Sequence, residues 1–312
     1  MSESQKALTL VSCANGKLIL NEDVLKKVFE SEEAKNRPVA IISIAGVFRK
    51  GKSFFLNFVL RYLKSKRVQD WIFSGANHMN GFDWKTNLDG ITAGITIWPE
   101  VFLVNNVAVL LIDTQGLFDR SKTAKEDTFI MVLSSLLSSV QILNHQEDLN
   151  SSDLKAFEQK EVNEDLHSVR DILNNFKQID CFLMPYPGEK VAHDEDYKGD
   201  LKHINPIFLD NVKKLVEYLI DNIKAKEVLG EEAKGEYFVK VVKTYVEYIN
   251  NGTLLVPKSL TQQNETATVA VLVNAQAGAY ATALTNVQRA AKRPAAAVFE
   301  AMCKKLERQR QL

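Results

Sequence analysis

The chain has 312 residues, 46% apolar and 25% charged, so it is long enough for one large α/β domain and too apolar to be disordered. Basic and acidic residues balance at 39 each, which gives no indication of a nucleic-acid partner. The three cysteines (Cys13, Cys181 and Cys303) form no C-x-x-C pair, which predicts a reducing compartment. The start lacks a signal-peptide core and no apolar run approaches roughly 18 residues, so we expect a cytoplasmic chain without a membrane span.

The N-terminal residues predict a hairpin followed by a helix. Residues 8–20 form two short apolar stretches about an Asn-Gly pair, a combination typical of a tight β-turn. Asn21 or Asp23 is then suited to cap an amphipathic helix that we expect to extend to about Ala34.

The next segment predicts a strand, a glycine-containing turn and a helix. The run VAIISIA at 39–45 is β-branched and continuous, as in a buried parallel strand. The run FFLNFVLRYL at 54–63 has helical periodicity. These elements follow one another as in a βα unit.

Further strands and helices are predicted downstream. We expect Ile95–Val104 to be an edge strand, which tolerates its proline, in a hairpin with a central strand at 107–112. Residues 128–144 predict a helix leading into another strand, and 145–180 are polar with a helical pattern. The run CFLMPYPG at 181–188 predicts one more strand, and mainly helices follow it.

The run from Gly46 to Ser53, GVFRKGKS, fits the phosphate-loop pattern G-x-x-x-x-G-K-[ST] in full. Its glycines, including Gly51, allow backbone N–H groups to face phosphate oxygens at a helix N-terminus. Lys52 is expected to meet the β- and γ-phosphates, and the Ser53 hydroxyl to ligate Mg²⁺. Because the motif lies between a predicted strand and helix, we interpret it as a phosphate site.

A second motif, D-x-x-G, ends the strand at 107–112. Asp113 at a strand end is suited to the magnesium shell, and the Gly116 N–H to a γ-phosphate. Within the phosphate loop, Arg49 has two interpretations: an internal arginine finger on the transferred phosphate, or a solvated basic residue. The residues alone leave both open.

Four runs, AGVFRKGKSFFLNFVLRYL, TAGITIWPEVFLVN, VAVLLIDTQGLFD and CFLMPYPGEKVA, resemble the atlastin family, which is related more distantly to the guanylate-binding proteins. The resemblance extends from about Leu10 to Lys258. It implies a P-loop NTPase G domain, with a mainly parallel sheet flanked by helices. It also implies GTP as substrate, Mg²⁺ as cofactor, and dimerisation through the nucleotide face, either with itself or with atlastin relatives.

The resemblance also implies roles for individual residues. Arg49 corresponds to the cis-acting arginine finger, and Thr92 to the switch I threonine that closes over Mg²⁺ and the γ-phosphate. Val191 falls in the loop beside the guanine, as does Asp194, where the family more usually has Asn. The remaining implied contacts come from the phosphate loop (Lys50, Gly51, Lys52, Ser53, Phe54) and from switch II (Asp113, Gln115).

The chain departs from the family pattern near residues 155–163, where at least one βα unit of roughly 30 residues is missing. In the family this unit carries an Arg-Asp pair that recognises guanine. Arg170-Asp171 is a poor substitute, because the preceding NEDLHSV is too polar for a buried strand. Guanine specificity is therefore the property that the departure affects most.

We divide the chain into an atlastin-type GTPase domain at 1–258 and a partial helical segment with a basic tail at 259–312. The first functional hypothesis is a GTPase whose family role is tethering and fusing endoplasmic reticulum membranes, at their cytosolic face. The alternative is a pseudo-GTPase or dominant regulator that pairs with full-length relatives.

Overall fold

The computed structural model of the protein describes residues 6–46, 51–74, 77–84, 94–114, 124–144, 180, 182, 184–194, 196–228 and 231–252. Of the polar helical region predicted at 145–180, only residue 180 lies within these ranges, and the C-terminal segment predicted at 259–312 lies outside them.

One mixed sheet forms the centre of the described residues. Its strands are β1 (Leu8–Ala14), β2 (Lys17–Leu20), β3 (Val39–Gly46), β4 (Ile95–Ile97), β5 (Phe102–Val104), β6 (Val107–Thr114) and β7 (Val140–Asn144). They are ordered β2-β1-β4-β6-β3-β7, and β5 also pairs with β6. The pairs β6–β3 and β3–β7 are parallel, whereas the other pairs are antiparallel.

Helices cover both faces of this sheet. They are α1 (Glu22–Phe29), α2 (Lys52–Lys64), α3 (Ala124–Leu137), the short α4 (Glu189–His193), α5 (Pro206–Asp221) and α6 (Gly235–Asn250). A 3₁₀ turn (Leu201–His203) precedes α5, and a two-stranded ribbon of β8 (Glu227–Val228) and β9 (Glu231–Glu232) precedes α6.

The core has two layers because side chains alternate along the buried strands. From β3, Val39 and Ile41 join α1, α3 and α6 on one face. Ala40 and Ile42 join α2 and α5 on the other face. This three-layer arrangement, with parallel strands flanked by helices, confirms the predicted α/β fold class. The sheet of the described residues is mixed, however, whereas a mainly parallel sheet was predicted.

The predicted N-terminal hairpin is confirmed, and the predicted helix is shorter than expected. Asn15 and Gly16 adopt φ of 53° and 68° between β1 and β2, the left-handed values that a tight hairpin turn needs. Asn21 caps α1 by accepting the N–H of Val24 at 3.1 Å. The helix ends at Phe29 and not at Ala34, because the chain turns there to reach β3.

The prediction of one edge strand at 95–104 is wrong. The run divides into β4 and β5 about Pro99, which lies between them. Only β5, joined to β6 by an Asn105-Asn106 turn, has the predicted edge position. β4 lies between β1 and β6 and needs no edge, because the strand ends before the proline.

The prediction of a strand at 181–188 is also wrong for the part of it that the structure describes. Residues 180, 182 and 184–188 form no strand, and the side chains of Phe182 and Tyr186 are 40% and 45% exposed. Pro185 and Pro187 supply no N–H groups, so alternate residues cannot donate to a strand ladder.

A buried polar cluster joins β3 to the end of α3. The hydroxyl of Ser43, fully buried in β3, lies 2.9 Å from Ser134 Oγ and 2.7 Å from Ser138 Oγ. It also donates to Gln141 Oε1 at 2.8 Å. Nearby, the Lys226 ammonium donates to the Ser138 carbonyl at 2.9 Å, a favourable position for a cation at a helix C-terminus.

Candidate functional site

Two glycines shape the connection between β3 and α2. Gly46 ends β3 with φ of 146°, and a Cβ there would lie 2.2 Å from the backbone oxygen of Asn144 on β7. Gly51 precedes α2 with φ of 84°, a left-handed conformation that side chains with a Cβ rarely adopt. Glycine is thus required by close contact at the first position and by conformation at the second.

The structure brings Ser53 and Asp113 into contact. β6 runs parallel to β3 with Ile44 opposite Asp113, so both strands end beside the start of α2. Ser53 Oγ donates to Asp113 Oδ2 at 2.5 Å. The Asp113 side chain is buried at 1% exposure, and Thr114 fixes the strand end by donating from Oγ1 to the Ile44 carbonyl at 2.7 Å.

Burial shifts the pKa values of two charged groups here in opposite directions. It raises the pKa of Asp113 to about 6, against the lowering effects of the Ser53 hydrogen bond and the Lys52 charge. It lowers the pKa of Lys52, which is 6% exposed, while the attraction of Asp113 opposes that change. Both ions are therefore held at an energetic cost beside the helix N-terminus.

The carboxylate of Asp113 has capacity for another partner. Among the described residues, its Oδ1 is one of four buried side-chain polar atoms without a hydrogen-bond partner. A buried acceptor in that state is costly unless a ligand or water meets it. With the adjacent Ser53 hydroxyl, it makes an oxygen donor pair of the kind that Mg²⁺ accepts when phosphates and water complete its shell.

No group of three or more His, Cys, Asp or Glu side chains suited to a metal ion occurs within the described ranges. The oxygen pair of Ser53 and Asp113 fits a magnesium ion shared with a phosphate ligand, not one held by protein groups alone.

The predicted base-side residues lie near α4. Val191, within that helix, is half-buried against the same core cluster that contains Phe54. Asp194 follows the helix and organises the chain beyond it: its Oδ1 accepts the Asp196 N–H at 2.8 Å and its backbone oxygen the Tyr197 N–H at 3.1 Å. The other predicted site residues (Arg49, Lys50, Thr92, Gln115 and Gly116) lie outside the described residues.

Asn57 and Trp84 are two residues near the site that the sequence analysis missed. Asn57 is fully buried and hydrogen-bonded to the backbone of Phe82, and Trp84 contacts the ring of Phe54. An indication was present in the sequence, since Asn57 is a polar residue within the apolar helical run at 54–63. A buried amide in such a run needs polar partners.

Comparison with known proteins identifies a family. The model of the guanylate-binding protein N-terminal domain matches residues 15–168 and 156–228. Atlastin-1 of Bos taurus is 30% identical over 302 residues, which cover 78% of this chain and 54% of that protein. Atlastin of Drosophila melanogaster is 31% identical over 305 residues, 78% of this chain and 56% of that protein. Atlastin-2 of Homo sapiens is 31% identical over 302 residues, which cover 78% of this chain and 52% of that protein.

The chain thus spans about half the length of these relatives. Within the residues that the structure describes, we find no helix with the length and apolarity to span a bilayer. The predicted resemblance to atlastins is confirmed by the relatives, and the family model covers more than half of the chain. On these grounds the chain belongs to the family of guanylate-binding protein N-terminal domains and is a homologue of the atlastins.

Proposed function

We propose that this protein is a GTPase that binds GTP with Mg²⁺ and hydrolyses the γ-phosphate. The observation that carries the proposal is the convergence of Lys52, Ser53 and Asp113 at the start of α2, with Asp113 Oδ1 buried and unpartnered. A cation, a hydroxyl and a carboxylate with an open acceptor suit a magnesium-bound phosphate chain.

Each of these residues has a part in binding. The Lys52 ammonium would neutralise the β- and γ-phosphate oxygens, and its burial strengthens that attraction. The N–H groups at the start of α2 favour anions for the same electrostatic reason. Ser53 and Asp113 would hold a magnesium ion, which, when bound, withdraws charge from the phosphates as they are transferred.

The chemical step would depend on residues assigned from the atlastin resemblance. Arg49 is proposed as the internal finger that stabilises charge on the transferred phosphate, and Thr92 as a further ligand of the magnesium ion. An arginine in this role accelerates related reactions about 10³–10⁵-fold. Gln115 and Gly116 would contribute beside the γ-phosphate.

Guanine recognition in this proposal involves the chain around α4 and the segment near 155–163. Val191 and Asp194 would contact the base, but the βα unit that carries the Arg-Asp pair in the family is proposed to be missing near 155–163. Two findings support that shortening. The family model matches in two segments that overlap at 156–168. The alignment with atlastin-1 is 302 residues long although it uses only 78% of this 312-residue chain.

A second candidate is a pseudo-GTPase or regulator that pairs with full-length relatives. It is favoured by the shortening near 155–163, because the unit proposed to be missing is the one that carries the guanine-recognising Arg-Asp pair in the family. In either case the resemblance implies dimerisation through the nucleotide face and a role at endoplasmic reticulum membranes.

Titration of the purified protein with mant-GTP and mant-ATP, with and without Mg²⁺, tests the proposal. We expect saturable, magnesium-dependent GTP binding, weakened at least about tenfold by Ser53→Ala, because hydrogen bonds to charged groups contribute about 1.5–3 kcal/mol. Ser65→Ala, at the opposite end of α2, is the matched control and should leave affinity unchanged.

Turnover distinguishes the two candidates. A GTPase should lose about 10³-fold or more of its hydrolysis rate in Arg49→Ala while still binding GTP. Equal affinity for GTP and ATP would show that guanine is not selected. Binding without Arg49-dependent hydrolysis would contradict the enzyme and support the regulator.

A further inference from the structure

Residues 77–84, here called the bridge segment, are fixed to α2 by a buried amide. Asn57 Oδ1 accepts the Phe82 N–H at 2.7 Å, and Asn57 Nδ2 donates to the Phe82 carbonyl at 2.9 Å. The contact is close enough to require glycine next to it, because a Cβ on Gly81 would lie 2.2 Å from Asn57 Oδ1. The amide side chain thus acts as a strand-like partner for a segment that is not in the sheet.

The other side of the bridge segment is fixed to the chain that follows α4. The Met79 N–H donates to the Gly199 carbonyl at 2.9 Å, and the Leu201 N–H to the Asn77 carbonyl at 3.0 Å. Gly199 has φ of 85°, and a Cβ there would be 3.1 Å from both Met79 Cβ and Trp84 Cζ2. Backbone groups therefore hold this side, with glycine again at the closest approach.

Trp84 connects the two sides through its ring. Its centroid lies 5.1 Å from that of Phe54 and 5.7 Å from that of Tyr197, both tilted contacts. Phe54 directly follows Lys52 and Ser53, the phosphate-side residues. The Tyr197 N–H bonds to the backbone of Asp194, a predicted base-side residue.

We propose that Trp84 is a positioning residue that couples the phosphate-binding start of α2 to the base-binding chain around α4, so that both parts of one nucleotide bind together. The inference rests on the proposed nucleotide binding. It adds the residue that sets the relative placement of two half-sites, which are the phosphate-binding start of α2 and the base-binding chain around α4. A ligand that spans both half-sites depends on their spacing, whereas a ligand that occupies one does not. Trp84 itself contacts no phosphate in this scheme.

The test compares a spanning ligand with a one-sided ligand. Affinities of mant-GTP and of magnesium tripolyphosphate are measured for the full chain and for Trp84→Leu. We expect GTP affinity to fall about tenfold, equal to about 1.4 kcal/mol, while tripolyphosphate affinity stays within about twofold. Trp84→Phe keeps an aromatic ring between its neighbours and should recover most of the loss.

A matched control is available in Trp71, which is buried in the same core cluster and packs on Tyr62 near the far end of α2, with ring centroids 5.1 Å apart. Trp71→Leu should lower the melting temperature but keep the wild-type ratio of the two affinities. Tyr197→Leu provides a second break of the same contact, with the same expected selective loss of GTP affinity, should Trp84→Leu not fold.

The outcomes separate the inference from the function on which it rests. Parallel loss of GTP and tripolyphosphate affinity, or equal effects of Trp84→Leu and Trp71→Leu, would overturn the positioning role while nucleotide binding stands. A wild-type protein that binds neither ligand would overturn the proposed function, and the inference with it.

Discussion

Protonation of Asp113 should stabilise the ligand-free protein in mild acid. Burial raises the pKa of this carboxyl to about 6, from 3.8. The folded state therefore holds the proton more tightly than the unfolded chain does. The resulting stabilisation is fully present below pH 3.8 and is lost as pH rises through about 6.

The size of the effect follows from the two pKa values. Each tenfold difference in proton affinity corresponds to about 1.4 kcal/mol, so the whole change amounts to about 3 kcal/mol. Between pH 7.5 and pH 5.0 only part of it is realised, because pH 5.0 lies one pH unit below the folded-state pKa. We expect about 1.4 kcal/mol of added stability from Asp113 over that interval.

Urea unfolding of the protein in EDTA, without nucleotide, measures this contribution. Other carboxyl groups also titrate in this range, so the relevant quantity is the difference between wild type and Asp113→Asn at each pH. The wild type should gain about 1.4 kcal/mol relative to the variant between pH 7.5 and 5.0.

A pH-independent difference between wild type and Asp113→Asn would refute the reasoning, since it would mean that the carboxyl is not held in a desolvated site. With Mg²⁺ and GTP present the sign should reverse. If Asp113 binds the magnesium ion as proposed, protons compete with the metal for its carboxylate, so ligand-induced stabilisation should decline below about pH 6.

Three further predictions concern the sheet and its surroundings. Gly46→Ala should lower the free energy of unfolding by about 3 kcal/mol or more, because the new Cβ would clash with the backbone of β7. Gly16→Ala should lower it by only about 1 kcal/mol, because no atom lies near the new Cβ and the remaining cost is the positive φ. Ser43→Ala should lower the free energy of unfolding by about 1–3 kcal/mol, because it breaks the buried polar cluster. Ser135→Ala should be neutral or stabilising, because the buried Ser135 hydroxyl has no hydrogen-bond partner among the described residues. Burial lowers the pKa of Lys226 to about 8 from 10.5, so the folded state holds this proton less tightly than the unfolded chain does. The stability of the wild type relative to Lys226→Met should therefore rise by about 2 kcal/mol as pH increases from 7 to 9.5. Denaturant unfolding measures the free energy of unfolding for all three predictions. Equal losses for the two glycine variants, or for the two serine variants, would contradict the first two. A difference between wild type and Lys226→Met that does not change with pH would contradict the third.

The parts of the fold that could be predicted are those in which local pattern and tertiary environment agree. The continuous apolar run of β3 is buried on both faces, and the Asn-Gly turn of the first hairpin has a conformational requirement visible in its residues. The same holds for the start of α2, because the spacing of Lys52 and Ser53 after the glycines fixes their place at the beginning of that helix.

The failures have physical causes outside the local pattern. The apolar residues at 95–104 predict a strand, but β4 is an interior strand because it pairs with β1 as well as with β6. The local pattern contains no information on that pairing. The prolines at 185 and 187 outweigh the strand propensity of the residues around them. The backbone partner of Asn57 belongs to Phe82, 25 residues further along the chain. The ring of Trp84 contacts Tyr197, which lies in a distant segment. Spacing in the sequence could not reveal either contact.

The pairing of β3 with β6 has a consequence for how the domain moves. The two strands are in parallel register over six consecutive residue pairs, from Val39 with Ala108 to Ile44 with Asp113, and β3 is also held by β7. Amide hydrogens in such a doubly bonded, buried strand exchange only through large-scale opening. Asp113 and the end of β3 must therefore move as one rigid body, and any structural difference between the ligand-free protein and the proposed nucleotide complex has to arise in chain that leaves the sheet.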